Sequence, residues 1–168
     1  MPRIPVEALS FTFDDDWLAS KYDDWSFYHN RFRKVRDKVK AIDLLAIDPD
    51  RTAWLIEVKD YRRHPRTKPI DLAEEVAHKV VDTLAALLPA RLNGDVAEET
   101  AVAKAALHAG RLRVVLHLEQ PATHSKLFPR AIDPANVLMK LKTLIRSIDP
   151  HPLVVEMNRM GSLAWTVT

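Results

Sequence analysis

The chain has 168 residues, enough for one domain (residues 1–168) with a sizeable core. Its 25 basic and 23 acidic residues nearly cancel, so any nucleic-acid contact has to come from local basic clusters and not from overall charge. The absence of cysteine excludes disulfides and thiolate metal sites and suits a reducing, cytoplasmic compartment, and no long apolar run signals a leader or a membrane span.

In chain order, residues 1–13 read as an irregular lead with Phe11 and Phe13 available for packing. From Asp14 to Phe32, Trp17, Leu18, Tyr22, Trp25, Tyr28 and Phe32 recur at threes and fours, which predicts a helix entered through Asp14, Asp15 and Asp16. Residues 31–40 are strongly basic. Lys40 to Tyr61 reads as a β-hairpin: two apolar runs flank the turn formers Asp48 to Thr52. With Asp50 at its tip, Ile47 pairs with Ala53, Leu45 with Leu55 and Asp43 with Glu57. Alternation then places Asp43, Leu45, Ile47, Leu55, Glu57 and Lys59 on one face and Leu44, Ala46, Trp54, Ile56 and Val58 on the other.

A proline-bounded basic loop, Asp60 to Pro69, follows. Residues 72–88 form a predicted helix capped by Asp71 and Glu74. Its expected buried stripe is Ala77, Val80, Val81, Leu84, Leu87 and Leu88, with Glu75, Lys79, Asp82 and Thr83 opposite. Asn93-Gly94 marks a turn, and Asp95 caps a helix to Ala109. Residues 112–118 form an apolar strand in which His117 reads as a packed or solvent-facing side chain rather than a ligand. Asp133-Pro134 opens a helix with Val137, Leu138, Leu141, Leu144, Ile145 and Ile148 expected inward. Strands over 153–157 and 163–167 close the chain as a hairpin around Gly161-Ser162. The layout is an α/β fold: a three-layer core with a mixed central β-sheet flanked by helices.

The hairpin poses a chemical question, because Asp, Glu and Lys share one end of a face that is otherwise apolar. Facing residues have Cβ atoms roughly 4.5–5.5 Å apart, so two carboxylates there repel unless a cation intervenes. The pattern Asp43, thirteen residues, then Glu57-Val58-Lys59 resembles the signature of the PD-(D/E)XK nuclease superfamily, with its restriction-endonuclease-like fold. Ile42 stands where the motif's name has proline.

The resemblance implies a divalent-metal-dependent nuclease acting on DNA, or less readily RNA. Asp43 and Glu57 would hold Mg²⁺ or Mn²⁺, and Lys59 would orient water or stabilise charge on phosphorus. It also nominates Asp23 or Asp24 as an auxiliary acid, although a solvated helix face is the plainer reading of both, and Lys79 as an auxiliary basic residue on the following helix. For the last, an i,i+4 pair with Glu75 is the plainer explanation. Arg33 and Lys34 ahead of the hairpin, with Arg62, Arg63, Arg66 and Lys68 after it, are the expected backbone contacts. So short a chain leaves specificity to nucleic-acid structure, a homodimer or a protein partner. Two readings stay open: an active nuclease, and a catalytically silent fold serving as a nucleic-acid-binding or protein-interaction module whose Asp–Glu–Lys group is only an ion network.

Overall fold

The computed structural model describes all residues, Met1–Thr168. Its centre is the predicted hairpin, β4 (Leu44–Ile47) and β5 (Thr52–Asp60), with Leu45 opposite Leu55 and Ile47 opposite Ala53, the register of a turn centred on Asp50. Arg51 takes a left-handed φ of 60° at the turn, and Asp48 steadies it by accepting from the Thr52 N–H and the Trp54 indole N–H. Thus the turn chemistry sets the register of the hairpin.

Three further strands complete a five-stranded mixed sheet. β3 (Leu18–Lys21) pairs antiparallel with β4, while β6 (Arg111–Glu119) and β7 (Leu153–Val155) run parallel to β5 in the order β3-β4-β5-β6-β7. The segment expected as one amphipathic helix is therefore a strand, a 3-10 turn (Tyr22–Asp24) and the short helix α1 (Ser26–Asn30). Its aromatic residues do not share a stripe. Trp17 packs on one side of the sheet, whereas Tyr22, Trp25 and Tyr28 pack on the other. Spacing alone imitated helical periodicity because the chain crosses the sheet edge between them.

One face of the sheet is covered by α2 (Leu72–Asn93), α3 (Ala97–Leu107) and α4 (Pro134–Leu144), which enclose Leu45, Ile47, Leu55, Val114 and Leu116 in the larger core. The other face is covered by a small sheet: β1 (Arg3–Val6), β2 (Leu9–Thr12) and β8 (Thr166–Val167). The N-terminal lead is thus ordered, with Leu9, Phe11 and Phe13 buried against Leu44, Ala46, Ile56 and Val58. Trp17, Trp54, Trp165 and Phe13 form an aromatic group here, with centroid separations of 5.2–6.4 Å. β8 joins β2 rather than β7, so the closing hairpin is not formed; Trp165 and Val167 instead bury in this second core. The result is a three-layer α/β architecture with a mixed central sheet.

Two helix details differ from expectation for physical reasons. α3 starts at Ala97, and Asp95 pairs with Arg31 instead of capping it. Glu99 in its first turn accepts the Ser26 and Phe27 backbone N–H groups, so one carboxylate satisfies the open start of α1. α2 continues five residues past Leu88, through Pro89, because Leu87 and Ala90 remain buried and hold the last turn in place. It ends at Gly94, where a Cβ would lie 2.5 Å from the Ala90 carbonyl oxygen and 2.8 Å from Thr100 Cγ2.

No helix is long and apolar enough to cross a membrane. Of the two readings open for His117, packed and solvent-facing, the structure has the packed one. The side chain is fully buried, with Nε2 2.8 Å from Glu119 Oε1 and its ring edge-on to Phe11.

Candidate functional site

The charged end of β5 lies beneath α2, and α2 approaches it with a face different from the expected one. Val81 and Leu88 point to solvent, while Glu75, Asp82 and Thr83 are buried. The segment entering β4 explains this rotation. Its backbone N–H groups need acceptors, and α2 supplies them: Asp82 accepts from Lys40 N at 2.8 Å, and Thr83 Oγ1 from Ile42 N at 3.1 Å. Arg36 also pairs with Asp82.

The same rotation brings Lys79 onto Glu57, with Nζ donating to Oε1 at 2.5 Å, in place of the expected pair with Glu75. Lys59 reaches the same Oε1 at 2.7 Å, and Glu57 Oε2 is buried with no hydrogen-bond partner. Asp43 sits just ahead of β4, and its Oδ2 accepts the Val58 N–H at 2.7 Å, which ties it across the hairpin.

Burial, with the Asp43 charge added, pushes the Glu57 carboxyl up to about 7 against the pull of Lys79 and Lys59. Asp43 is raised as well, chiefly by burial. For Lys59, burial acts downward, but Glu57 and Glu75 outweigh it and hold the ammonium above its ordinary value. The predicted trio is therefore assembled, with Lys79 as a fourth member.

Glu75 is the residue that sequence reasoning placed on the wrong side. Fully buried, it lies 3.3 Å from Lys59, 2.6 Å from the Arg66 guanidinium and 2.9 Å from Lys68. Burial opposes its ionisation, yet these cations hold the carboxyl down at about 2. A signal existed: Glu75, Lys79, Asp82 and Thr83 recur at helical spacing, so they form one coherent polar face, and only the presence of charged β5 beneath shows that the face points inward.

Two openings flank the charged strand end. The first, about 320 Å³, is lined by Asp23, Tyr28, His29, Arg33, Lys40, Asp43 and Lys79 among others. Asp23 is thus brought near Asp43, its carboxyl raised mainly by burial. Asp24 is exposed and hydrogen-bonded to Lys21. Arg33 lines this opening and Lys34 does not. The second, about 550 Å³, lies between the β1–β2 turn and the 61–68 loop, and Lys59, Arg63, Arg66 and Lys68 line it. Arg62 is turned onto Asp60 in a two-point pair of 2.8 and 2.6 Å.

Nowhere do three or more His, Cys, Asp or Glu side chains converge as a metal cluster. Two carboxylates with an open acceptor still suit one hard divalent ion, because Mg²⁺ commonly takes only one or two protein carboxylates and fills its shell with water or phosphate oxygen.

The architecture defines the chain as a three-layer α/β protein with a charged strand end under a helix. No family model and no solved structure matches the chain. A cysteine–tRNA ligase of Neisseria meningitidis is 31% identical over 168 residues, covering 82% of this chain and 24% of that protein. The chain thus spans about a quarter of the length of the curated relative it matches. That relative is named for joining cysteine to tRNA and not for cutting a phosphodiester. The finding corrects the expectation of PD-(D/E)XK membership, and with it those of a Mg²⁺-dependent nuclease and a phosphodiesterase activity. The motif resemblance rested on some twenty residues, and its geometry is shared by any strand end where two acids and a lysine neutralise each other beneath a helix.

Proposed function

We propose that this chain is a nucleic-acid-binding module that engages RNA of the tRNA class. The observation that carries this reading is the similarity of most of the chain to part of a tRNA ligase. The distribution of charge supports it. A protein with nearly balanced charge sets Arg33 and Lys40 at one opening and Arg63, Arg66 and Lys68 at the other, on either side of one strand end. Such local clusters hold a phosphate backbone through charge and counterion release. RNA, rather than the DNA expected from the sequence, is the class that the relationship favours.

In this reading Asp43 and Glu57 take one Mg²⁺ or Mn²⁺ ion, which would screen their carboxylates from a phosphate brought alongside. Residues 1–168 act as one domain, and the setting is cytoplasmic. A second copy or a partner protein would add contacts beyond those of a single chain.

The test is binding by fluorescence anisotropy of an unmodified tRNA transcript against duplex DNA of equal charge, each over a salt series. The expected result is preferential tRNA binding with a log–log salt slope. Arg63→Gln with Lys68→Gln should reduce that slope by about 1.4–1.8, as loss of two phosphate contacts requires. Equal affinity for DNA, or an unchanged slope in the double variant, overturns the assignment.

A further inference from the structure

The opening beside Lys59 has features that a track for backbone phosphates does not require. Its volume, about 550 Å³, is in the range of small-molecule sites. One wall is the 61–68 loop, stiffened by Pro65 and secured by Arg66, which donates to the Tyr61 hydroxyl and the Ile70 carbonyl at 2.8 Å each.

The buried Glu75 gathers three cations, Lys59, Arg66 and Lys68, so the loop side carries excess positive charge in a fixed arrangement. Arg63 and His64 line the same wall, and neither takes part in an ion pair or side-chain hydrogen bond; Asp60 is engaged by Arg62.

The opposite wall has the reverse character. Glu7 sits at the β1–β2 turn with φ of 53°, a left-handed conformation uncommon for a residue with a side chain. Its Oε2 accepts the Asp60 N–H at 3.1 Å, which anchors a carboxylate in the lining of the opening and leaves Oε1 free to accept. An anion-only site gains nothing from an acceptor there, because a carboxylate repels phosphate.

We propose that this cavity is a nucleoside monophosphate site. The phosphate lies on the Arg63, Arg66 and Lys68 side, and ribose hydroxyls or a base amino group donate to Glu7. Choosing a nucleotide over other phosphate esters rests on the nucleic-acid reading above. The ligand is either a free mononucleotide or the phosphorylated end of an RNA strand, since both present the same group.

Isothermal titration of the full chain with 5′-AMP, adenosine and inorganic phosphate tests the site. AMP is expected to bind at least tenfold more tightly than either adenosine or phosphate. Arg63→Gln weakens AMP and phosphate together by tenfold or more. Glu7→Gln weakens AMP severalfold and leaves phosphate unchanged or tighter, which a purely electrostatic patch would not do. Circular dichroism confirms that these two exposed variants fold.

A hexaribonucleotide with and without a 5′-phosphate distinguishes the sources. A preference for the phosphorylated strand beyond that for AMP assigns the strand end, and parity with AMP assigns the free nucleotide. AMP binding no tighter than phosphate, or insensitive to both variants, overturns the proposal. If AMP fails while tRNA still binds with its salt slope, only this inference falls. If AMP binds and tRNA does not, the RNA reading falls and the pocket stands.

Discussion

Replacing Lys79 with Met tests the central electrostatic arrangement most directly. The methionine keeps the bulk of the side chain and removes the ammonium that donates to Glu57 at 2.5 Å. At that distance, with an effective dielectric of about 20, the attraction is about 7 kcal/mol. Desolvation of both groups consumes much of it, and stranding a buried charge ordinarily costs about 3–5 kcal/mol.

Here the carboxyl has an escape. It titrates at about 7 in the folded protein, so above that pH the variant can bind a proton instead of bearing a bare charge. Protonation caps the loss at about 1.4 kcal/mol for each pH unit above 7. Urea melts in the presence of chelator should therefore show a loss of about 2 kcal/mol at pH 8.5 and under about 1 kcal/mol at pH 5. Adding Glu57→Gln to Lys79→Met should remove the pH dependence. A loss of the same size at both pH values would refute both the raised Glu57 carboxyl and the pairing on which the site is built.

The wild type has a related signature. Glu57 in the folded protein holds its proton to about pH 7, above the 4.5 of an unperturbed glutamate, so the folded state binds more protons between those values. Stability should then fall as pH rises from about 4.5 through 7, and Glu57→Gln should abolish that decline. Glu75 has the opposite sign: with its carboxyl depressed to about 2, its stabilisation is present above about 4.5 and is lost as pH falls toward 2. Glu75→Gln should cost about 3 kcal/mol at neutral pH and flatten the acid limb of a stability–pH curve; an unchanged acid limb would remove Glu75 as the anchor of the loop. Mg²⁺ should raise the melting temperature of the wild type, by about 2.7 kcal/mol of stability at a hundredfold excess over Kd, and leave Asp43→Asn unmoved. A shift that survives the substitution places the ion elsewhere. Gly94→Ala should destabilise by about 1–3 kcal/mol, since its methyl group meets the Ala90 carbonyl and Thr100; a neutral thermal melt would show that the α2–α3 turn gives way freely.

The sequence by itself determined the central hairpin. Two apolar runs flank a cluster of turn formers, and with Asp50 at the tip they pair Leu45 with Leu55 and Ile47 with Ala53, as they do in the structure. The assembly of Glu57 and Lys59 on one face follows from that register, as does the closeness of Asp43 to β5. The starts of α2 and α4 were equally legible, since Asp71 and Asp133 cap their own helices within two residues.

Three features were decided only by the tertiary structure. Residues 18–21 became an edge strand because β4 offered them a partner, a fact absent from their own spacing. The buried face of α2 depended on unpaired N–H groups at residues 40 and 42 and on a charge at residue 57, all distant in sequence. Glu75 became the hub of three cations for the same reason. An apolar side chain carries its preference for burial wherever it goes, whereas a charged one is buried only where a partner waits, and the position of the partner belongs to the fold.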